Sequence, residues 1–505
     1  MEDVLARVDT WILGHRDRLL QTLGTLVSFA TPSPPGRNTA AAQAFMTERL
    51  AALGFAVDRF EVHPGDPDVV GVRRGNGGTG QPPGVAAGLA RSPASVPGDQ
   101  GNAPEHSAAC RGFAVPGTGA ARAGLKSAYG GSAPGGAASA QPRSSAPPGG
   151  SAPHGALGAP ERITSASLLL NGHIDVAEVG DARAWSRPPF SLTVEGDRAY
   201  GRGTADMKGG LAAALLALEA LDAAGARLAG DVVFESVVGE EQGEAGTLAA
   251  CERGYRADFA LVPDASGLAV QGQGGVVTGW IVLQSPETFH DGMRSRLIHA
   301  GGGVRGAGMI EKMCRIIDAL GQLERHWAVT LSYPGFAPGA TTINPAVIEG
   351  GRHPAFVADR CALWITVHFY PDRTWEDVAA EVEAFVRSAA AADPWMREHP
   401  PEFRWGGRSM IIDRGEVFPP VPLDTGHPAV GEILRAHTEV AGSPPAVGMS
   451  PSVTDGGWLA RAGIPTAIYG PGHLAQAHAV DEWVSVSELL ACARVLARVV
   501  GRWCG

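Results

Sequence analysis

Apolar positions follow two rhythms along this chain, and the places where one gives way to the other mark its elements. Residues 2–29 and 38–53 repeat apolar side chains at helical spacing, separated by the turn-rich string TPSPPGRN. Alternation then predicts strands over 55–62 and 68–72. Beyond residue 160, the short apolar runs SLLLNG, DVVFESVVG and ADFALVPD read as buried strands. MKGGLAAALLALEALDAAG and EAGTLAACERG read as helices, and SLTVEGDRAYGRG as a hairpin. Strands that alternate with helices predict an α/β fold whose sheet is mostly parallel and covered on both faces. From about Trp280 the order changes. GWIVLQS, TTINPAVIEGG and CALWITVHFYP read as strands, GAGMIEKMCRIIDALGQLERH and TWEDVAAEVEAFVRSAAAA as helices. That unit predicts a smaller α+β domain set into the larger one. The larger domain resumes near Pro422 with HPAVGEILRAHTEVAG as a helix, IPTAIYGPG as a strand and VSVSELLACARVLARVV as a final helix. The expected boundaries are 1–75, 161–274 and 422–505 for the larger domain and 275–421 for the inserted one.

Composition changes this picture in one place. Of the 85 residues at 76–160, 60 are Gly, Ala, Pro or Ser. Such a segment cannot bury enough apolar surface to offset its chain entropy, and a disordered insertion is expected there. The chain of 505 residues is otherwise ordinary for a globular protein, with 44% hydrophobic and 18% charged residues. A net charge of −11 without a basic tract argues against a nucleic-acid partner. No apolar run reaches the roughly 18–20 residues of a membrane span, and the acidic N-terminus lacks the features of a signal peptide. Six scattered cysteines with no CxxC suit a reducing cytoplasm.

The candidate chemistry lies at the C-terminal ends of the apolar strands, the edge where open α/β sheets bind ligands. LLLNGHIDV supplies His173 and Asp175, which share a side in an extended segment, so that Asp175 can orient the His173 ring. GRGTADMKGG supplies Asp206 just before a helix, a place also suited to an N-cap. VVGEEQGEAG supplies Glu240 and Glu241, adjacent carboxylates that need a cation or a proton if buried. FALVPDASG supplies Asp264, and YGPGHLAQAHAVDEW supplies His473 and His478. Each cluster alone has an ordinary reading as a cap, a turn or a solvated loop. Together they offer nitrogen and oxygen ligands without thiolate, a set suited to Zn²⁺, Co²⁺ or Mn²⁺. One bridging carboxylate with two further ligands per ion would make a two-metal site.

HID, GRGTADMKGG and GEEQGEAG in this order resemble the two-metal amidohydrolase and exopeptidase family of acetylornithine deacetylase, succinyl-diaminopimelate desuccinylase, carboxypeptidase G and aminoacylase. The resemblance spans nearly everything outside 76–160. It implies a catalytic α/β domain interrupted by a lid domain, 275–421, through which two subunits form a homodimer. It further implies that His173 and Asp264 bind one divalent metal, that Glu241 and His478 bind the other, and that Asp206 bridges them. Glu240 would be the general base, Asp175 the orienting carboxylate, and Asp206–Met207 a non-proline cis peptide. His473 is not at the motif position and reads as a loop residue. A lid histidine that polarises the scissile carbonyl, often from the partner subunit, is sought in SPETFHDGMRSRLIHAGGG. His290 and His299 are both candidates, and His290 better fits the distance from GWIVLQS.

Amino-acid-cleaving members commonly carry an Arg clamp where this chain reads WITVHFYP, with His368. Arg360 is expected on the preceding loop. Loss of the bidentate fork argues against a substrate α-carboxylate. His368 and Asn344 are the substrate-binding candidates. The lid strings are most similar to an acetylornithine deacetylase-like subgroup that includes a formylaminopyrimidine deformylase of thiamin salvage. The resemblance therefore implies hydrolysis of a small N-acyl amine, foremost an N-formyl aminomethylpyrimidine, by a metal-activated water with Glu240 as base. Acetylornithine-type deacylation or dipeptide cleavage is the alternative. A non-catalytic binding homologue is disfavoured because every ligand and Glu240 are present.

Overall fold

In the computed structural model, residues 1–76, 166–243, 246–297, 301–407, 410 and 414–505 are described. The Gly/Ala/Pro/Ser-rich segment 76–160 lies outside the described residues but for its first position, as does His299. The chain opens with α1 (Glu2–Gly14), α2 (Arg16–Ser28) and α3 (Ala40–Ala52), followed by β1 (Ala56–His63), β2 (Asp66–Arg73) and β3 (Leu168–His173). The hairpin β4 (Thr193–Glu195) and β5 (Arg198–Tyr200) precedes α4 (Lys208–Ala223), β6 (Val232–Val237), α5 (Gly246–Glu252), β7 (Phe259–Val262) and β8 (Val270–Gln273). Next come β9 (Gly275–Gln284), β10 (Phe289–His290), α6 (Met309–Thr330), β11 (Ile343–Gly350), β12 (Phe356–Val357), β13 (Arg360–Phe369), α7 (Trp375–Ala391), β14 (Glu402–Trp405) and β15 (Val417–Phe418). The chain closes with α8 (Pro428–Ala441), β16 (Val447–Ser450), α9 (Gly456–Arg461), β17 (Thr466–Ile468), β18 (Trp483–Ser485) and α10 (Val486–Trp503).

The main sheet has eight strands in the order β1-β2-β6-β3-β7-β17-β8-β16. Its centre, β6-β3-β7-β17, is parallel. The strands β3, β6 and β7 are buried along their whole length, as continuous apolar runs require when helices cover both faces. One face packs on α1, α2, α4, α8 and α10, the other on α5 and α9. Two sequence signals place the last helix. The Ser485 hydroxyl accepts from Glu488 N at 3.1 Å as an N-cap, and Leu489, Cys492, Leu496 and Val500 form its buried stripe. Each such side chain contributes about 1.5–3 kcal/mol when fully buried. Arg494 and Arg498 on the same helix bind Asp9 of α1 and close the two ends of the chain on one another.

A second, antiparallel sheet, β11-β13-β9-β14 with β15 also on β9, packs on α6 and α7 around its own core of Met313, Leu320, Ile365 and Val382. This sheet and its two helices fall within residues 275–421. The sequence reading differs from the structure in several places. The helix expected over 2–29 is broken at His15, whose ring stacks on Trp11 at 3.9 Å and hydrogen-bonds the Trp11 carbonyl at 2.7 Å. The strands β8, β14, β15, β16 and β18 are short and carry no alternation long enough to announce them. Arg360 is the first residue of β13, not a loop residue.

Candidate active site

The ends of the parallel strands converge on one cavity of about 170 Å³, lined among others by Asp206, Glu240, Glu241, Asp264 and His478. His173 is the last residue of β3 and only 1% exposed. Its Nδ1 lies 3.0 Å from the Asp175 carbonyl oxygen, which can only accept. Nδ1 is therefore a donor, and Nε2 faces Asp206 Oδ1 at 3.1 Å. The other Asp206 oxygen, Oδ2, faces His478 Nε2 at 3.4 Å, and His478 Nε2 meets Glu241 Oε2 at 2.9 Å. Asp264 Oδ2 and Glu240 Oε2 each lie 4.0 Å from His173 Nε2. One carboxylate thus stands between two imidazoles, one oxygen toward each.

Asp175 acts differently from the sequence reading. Its carboxylate is 3.8 Å from His173 Nδ1 and yields that contact to its own backbone carbonyl. The carboxylate instead accepts from Gly239 N at 2.9 Å and Glu241 N at 3.2 Å. It fixes the turn on which Glu240 and Glu241 are mounted. Gly239 takes φ +84° there, a conformation that admits glycine at no steric cost.

The loop carrying Asp206 has an anchor that sequence reasoning missed. Glu482 is fully buried and accepts from Gly203 N at 3.0 Å, Ala205 N at 2.8 Å and Asp206 N at 3.2 Å, while pairing with buried Arg202 at 2.6 Å. The Asp206–Met207 peptide is cis, as the resemblance implied. His478 adopts φ +60°, unusual for a residue with a Cβ. His473 is exposed and meets Glu488 away from the cavity.

The titration behaviour of these groups follows from their crowding. Burial lowers the His173 imidazole, but Asp206 and Glu240 outweigh it and hold the ring well above its ordinary value. Hydrogen bonds to Asp206 and Glu241 push His478 up to about 10. Burial would raise Asp206, yet the two imidazoles hold it below the usual carboxylate range. Burial and the Asp206 charge push Asp264 up to about 7. Burial, opposed by His173 and reinforced by Glu241, raises Glu240 well above its ordinary value. The protein alone thus needs protons between facing acceptors. Glu241 Oε1 is buried with no hydrogen-bond partner, and ligand atoms of His173, Asp206 and Glu241 lie within 4.8 Å of one another. A nitrogen and oxygen donor set with an orphaned carboxylate oxygen fits divalent cations.

The substrate candidates are placed elsewhere. His368 lines an adjoining cavity of about 290 Å³ with Phe336, Thr342 and Tyr370, which shares Ser450, Ser452 and Val453 with the metal cavity. Burial lowers its imidazole pKa. Asn344 is exposed on β11 opposite Thr366 and borders neither cavity. His290 is exposed in β10 and accepts from Gly292 N at 3.1 Å; it does not line the metal cavity of its own chain. Arg360 sits at the far end of β13 from His368 beside Glu349, eight residues or roughly 26 Å away. Among the described residues, neither cavity wall contains a Lys or Arg. One wall residue that sequence reasoning passed over is Glu416, just before β15.

An imidazole and carboxylate cluster at parallel strand ends, with one carboxylate set between two imidazoles and further carboxylates beside them, is the site of a metal-dependent hydrolase. Residues 169–502 match the profile of Peptidase family M20/M25/M40, and the chain belongs to that family. It is 45% identical over 504 residues, 100% of this chain and 97% of the relative, to a protein of Halalkalibacterium halodurans named N-formyl-4-amino-5-aminomethyl-2-methylpyrimidine deformylase. A Bacillus subtilis protein of the same name is 43% identical, with 97% and 95% of the two chains covered. The fold is shared with an M20 family metallo-carboxypeptidase from Sulfolobus solfataricus, with a TM-score of 0.63, 16% identity, and 96% and 99% of the two chains covered. Among the described residues no helix is long and apolar enough to cross a membrane.

Proposed function

We propose that this chain is a metal-dependent amidohydrolase that removes the formyl group from N-formyl-4-amino-5-aminomethyl-2-methylpyrimidine, a step of thiamin precursor salvage. The observation that carries the reading is the full-length likeness to the two deformylases, 45% and 43% identical. The cavity walls support it, since without Lys or Arg among their described residues they suit a substrate that carries no carboxylate.

His173, Asp206 and Asp264 would hold one divalent ion and Asp206, Glu241 and His478 a second, with Zn²⁺ proposed and Co²⁺ or Mn²⁺ also compatible with the donors. Bound there, the ions supply Lewis acidity that polarises the amide and lowers the pKa of water. Glu240 takes the proton of the attacking water and delivers it to the departing amine. Asp175 keeps Glu240 in place through the backbone of the turn. The boundaries of a lid domain at 275–421 follow the second sheet. Its edge strand β11 exposes Val347 and Ile348 and leaves a backbone edge open, which suits a homodimer. In that dimer His290, exposed and not part of its own cavity wall, would polarise the carbonyl in the partner's site. The five described cysteines are free, in keeping with a cytoplasmic enzyme.

The test is the ratio of kcat/KM for the formylated aminopyrimidine to that for N-acetylornithine, measured on enzyme of known metal content. A ratio well above one is expected. Preference for N-acetylornithine would replace this reading with acetylornithine-type deacylation.

A further inference from the structure

The metal cavity contains one acidic group that the hydrolytic chemistry does not use. Asp206, Glu240, Glu241 and Asp264 bring four negative charges to its wall, the number that two divalent cations neutralise. Glu416 is a fifth carboxyl in the same wall, and among the described residues its side chain has no hydrogen-bond or ion-pair partner. A half-buried carboxyl that faces a cavity and has no partner among the described residues is available to a ligand there.

Its placement is fixed from three sides. Thr278 N donates to the Glu416 carbonyl at 3.0 Å, and Glu416 N donates to Thr278 Oγ1 at 2.8 Å. Gly406 packs so closely that a Cβ there would come within 2.3 Å of the Glu416 carbonyl oxygen. Gly243, at φ +59°, packs against the Glu416 Cβ, where a methyl would stand 2.6 Å away. The backbone is therefore clamped, while among the described residues the carboxyl has no partner. Phe418, two residues on and so on the same side of an extended segment, lines the same cavity. A flat aromatic surface thus stands beside a hydrogen-bonding edge.

We propose that Glu416 is a specificity-determining residue that pairs bidentately with the 4-amino group and adjacent ring nitrogen of the aminopyrimidine while the ring lies against Phe418. The inference rests on the deformylase reading above. A carboxylic acid matches that edge atom for atom: its O–H donates to the ring nitrogen and its carbonyl oxygen accepts from the exocyclic amine. Burial supports the protonated form, pushing the Glu416 carboxyl up to about 7.

The test combines two substrates with three enzymes. The substrates are N-formyl-4-amino-5-aminomethyl-2-methylpyrimidine and its analogue lacking the 4-amino group. The enzymes are wild type, Glu416→Gln and Glu416→Leu, each with its metal content measured. Wild type should favour the amino substrate by about 10²-fold or more in kcat/KM, because a site built for a hydrogen bond rejects the partner lacking it. Glu416→Leu should bring the ratio to within about threefold of one. Glu416→Gln, whose amide still offers one donor and one acceptor, should keep most of the preference. If wild type does not distinguish the substrates, or Glu416→Leu keeps the wild-type ratio, Glu416 is not the selector and deformylation stands. If Glu416→Gln falls as far as Glu416→Leu, the carboxyl acts by charge and the bidentate pairing is wrong. If wild type deformylates neither substrate, the deformylase reading and this inference fall together.

Discussion

Glu482→Gln tests whether the loop carrying Asp206 is held electrostatically. In wild type one carboxylate oxygen accepts from Arg202 Nη1 and Gly203 N, the other from Ala205 N and Asp206 N. An amide has one accepting oxygen, so its NH₂ must face one of these donor pairs. Two donors then lose their acceptor, at about 1–3 kcal/mol each. Arg202, 1% exposed, would keep only the neutral carbonyls of Glu178 and His478. Removing one member of a buried ion pair costs about 3–5 kcal/mol in all, a figure that includes these lost bonds. The variant should therefore unfold in urea with about 3–5 kcal/mol less stability when stripped of metal. Metal titration should show affinity weaker by about 10- to 100-fold, the usual effect of removing a group that orients a ligand. Stability within 1 kcal/mol of wild type, together with unchanged metal affinity, would refute the argument and leave the loop held by its own turn and by packing.

Two further outcomes follow from the same geometry. Glu240→Gln should keep both metals and lose about 10²–10⁴-fold in turnover, whereas Glu241→Gln should lower metal occupancy first; elemental analysis beside steady-state kinetics separates the two, and the reverse pattern would exchange their roles. Burial would raise the Asp9 carboxyl, but the guanidinium groups of Arg498 and Arg494 outweigh it and hold it at about 2. A depressed carboxyl stabilises the fold above its unfolded pKa of about 3.9 and loses that contribution as pH falls through about 2, so Asp9→Asn should cost roughly 2 kcal/mol at pH 7. Denaturant titrations from pH 7 downward should show the difference constant to about pH 5 and shrinking below pH 4.

The residues that the structure gathers at the metal cavity are legible in the sequence for a physical reason. His173, Glu240, Glu241 and Asp264 each follow a continuous apolar strand, and a polar group placed there must sit at the carboxyl edge of the sheet. Asp206 is flagged by the glycines around it and His478 by its place after the strand at 466–468. The supporting groups leave no such trace. Glu482 is four residues from His478 in a string that reads as a solvated loop, and only the folded loop at 201–207 gives it three amide donors. Glu416 precedes a two-residue strand, too short for any periodicity. Asp175 illustrates the other limit: spacing puts it beside His173, but backbone direction decides that its carbonyl and not its carboxylate meets the ring.

The second sheet enters and leaves the fold at neighbouring points. Its first strand begins at Gly275 and its last ends at Phe418, and these ends are paired, Val276 opposite Phe418. A unit whose two ends meet can lengthen, shorten or exchange its interior without shifting the strands that carry Asp264 before it and His478 after it. Cavity-wall residues that the inserted unit supplies, such as His368 and Phe418, can then change while the strand ends that carry Asp264 and His478 keep their positions.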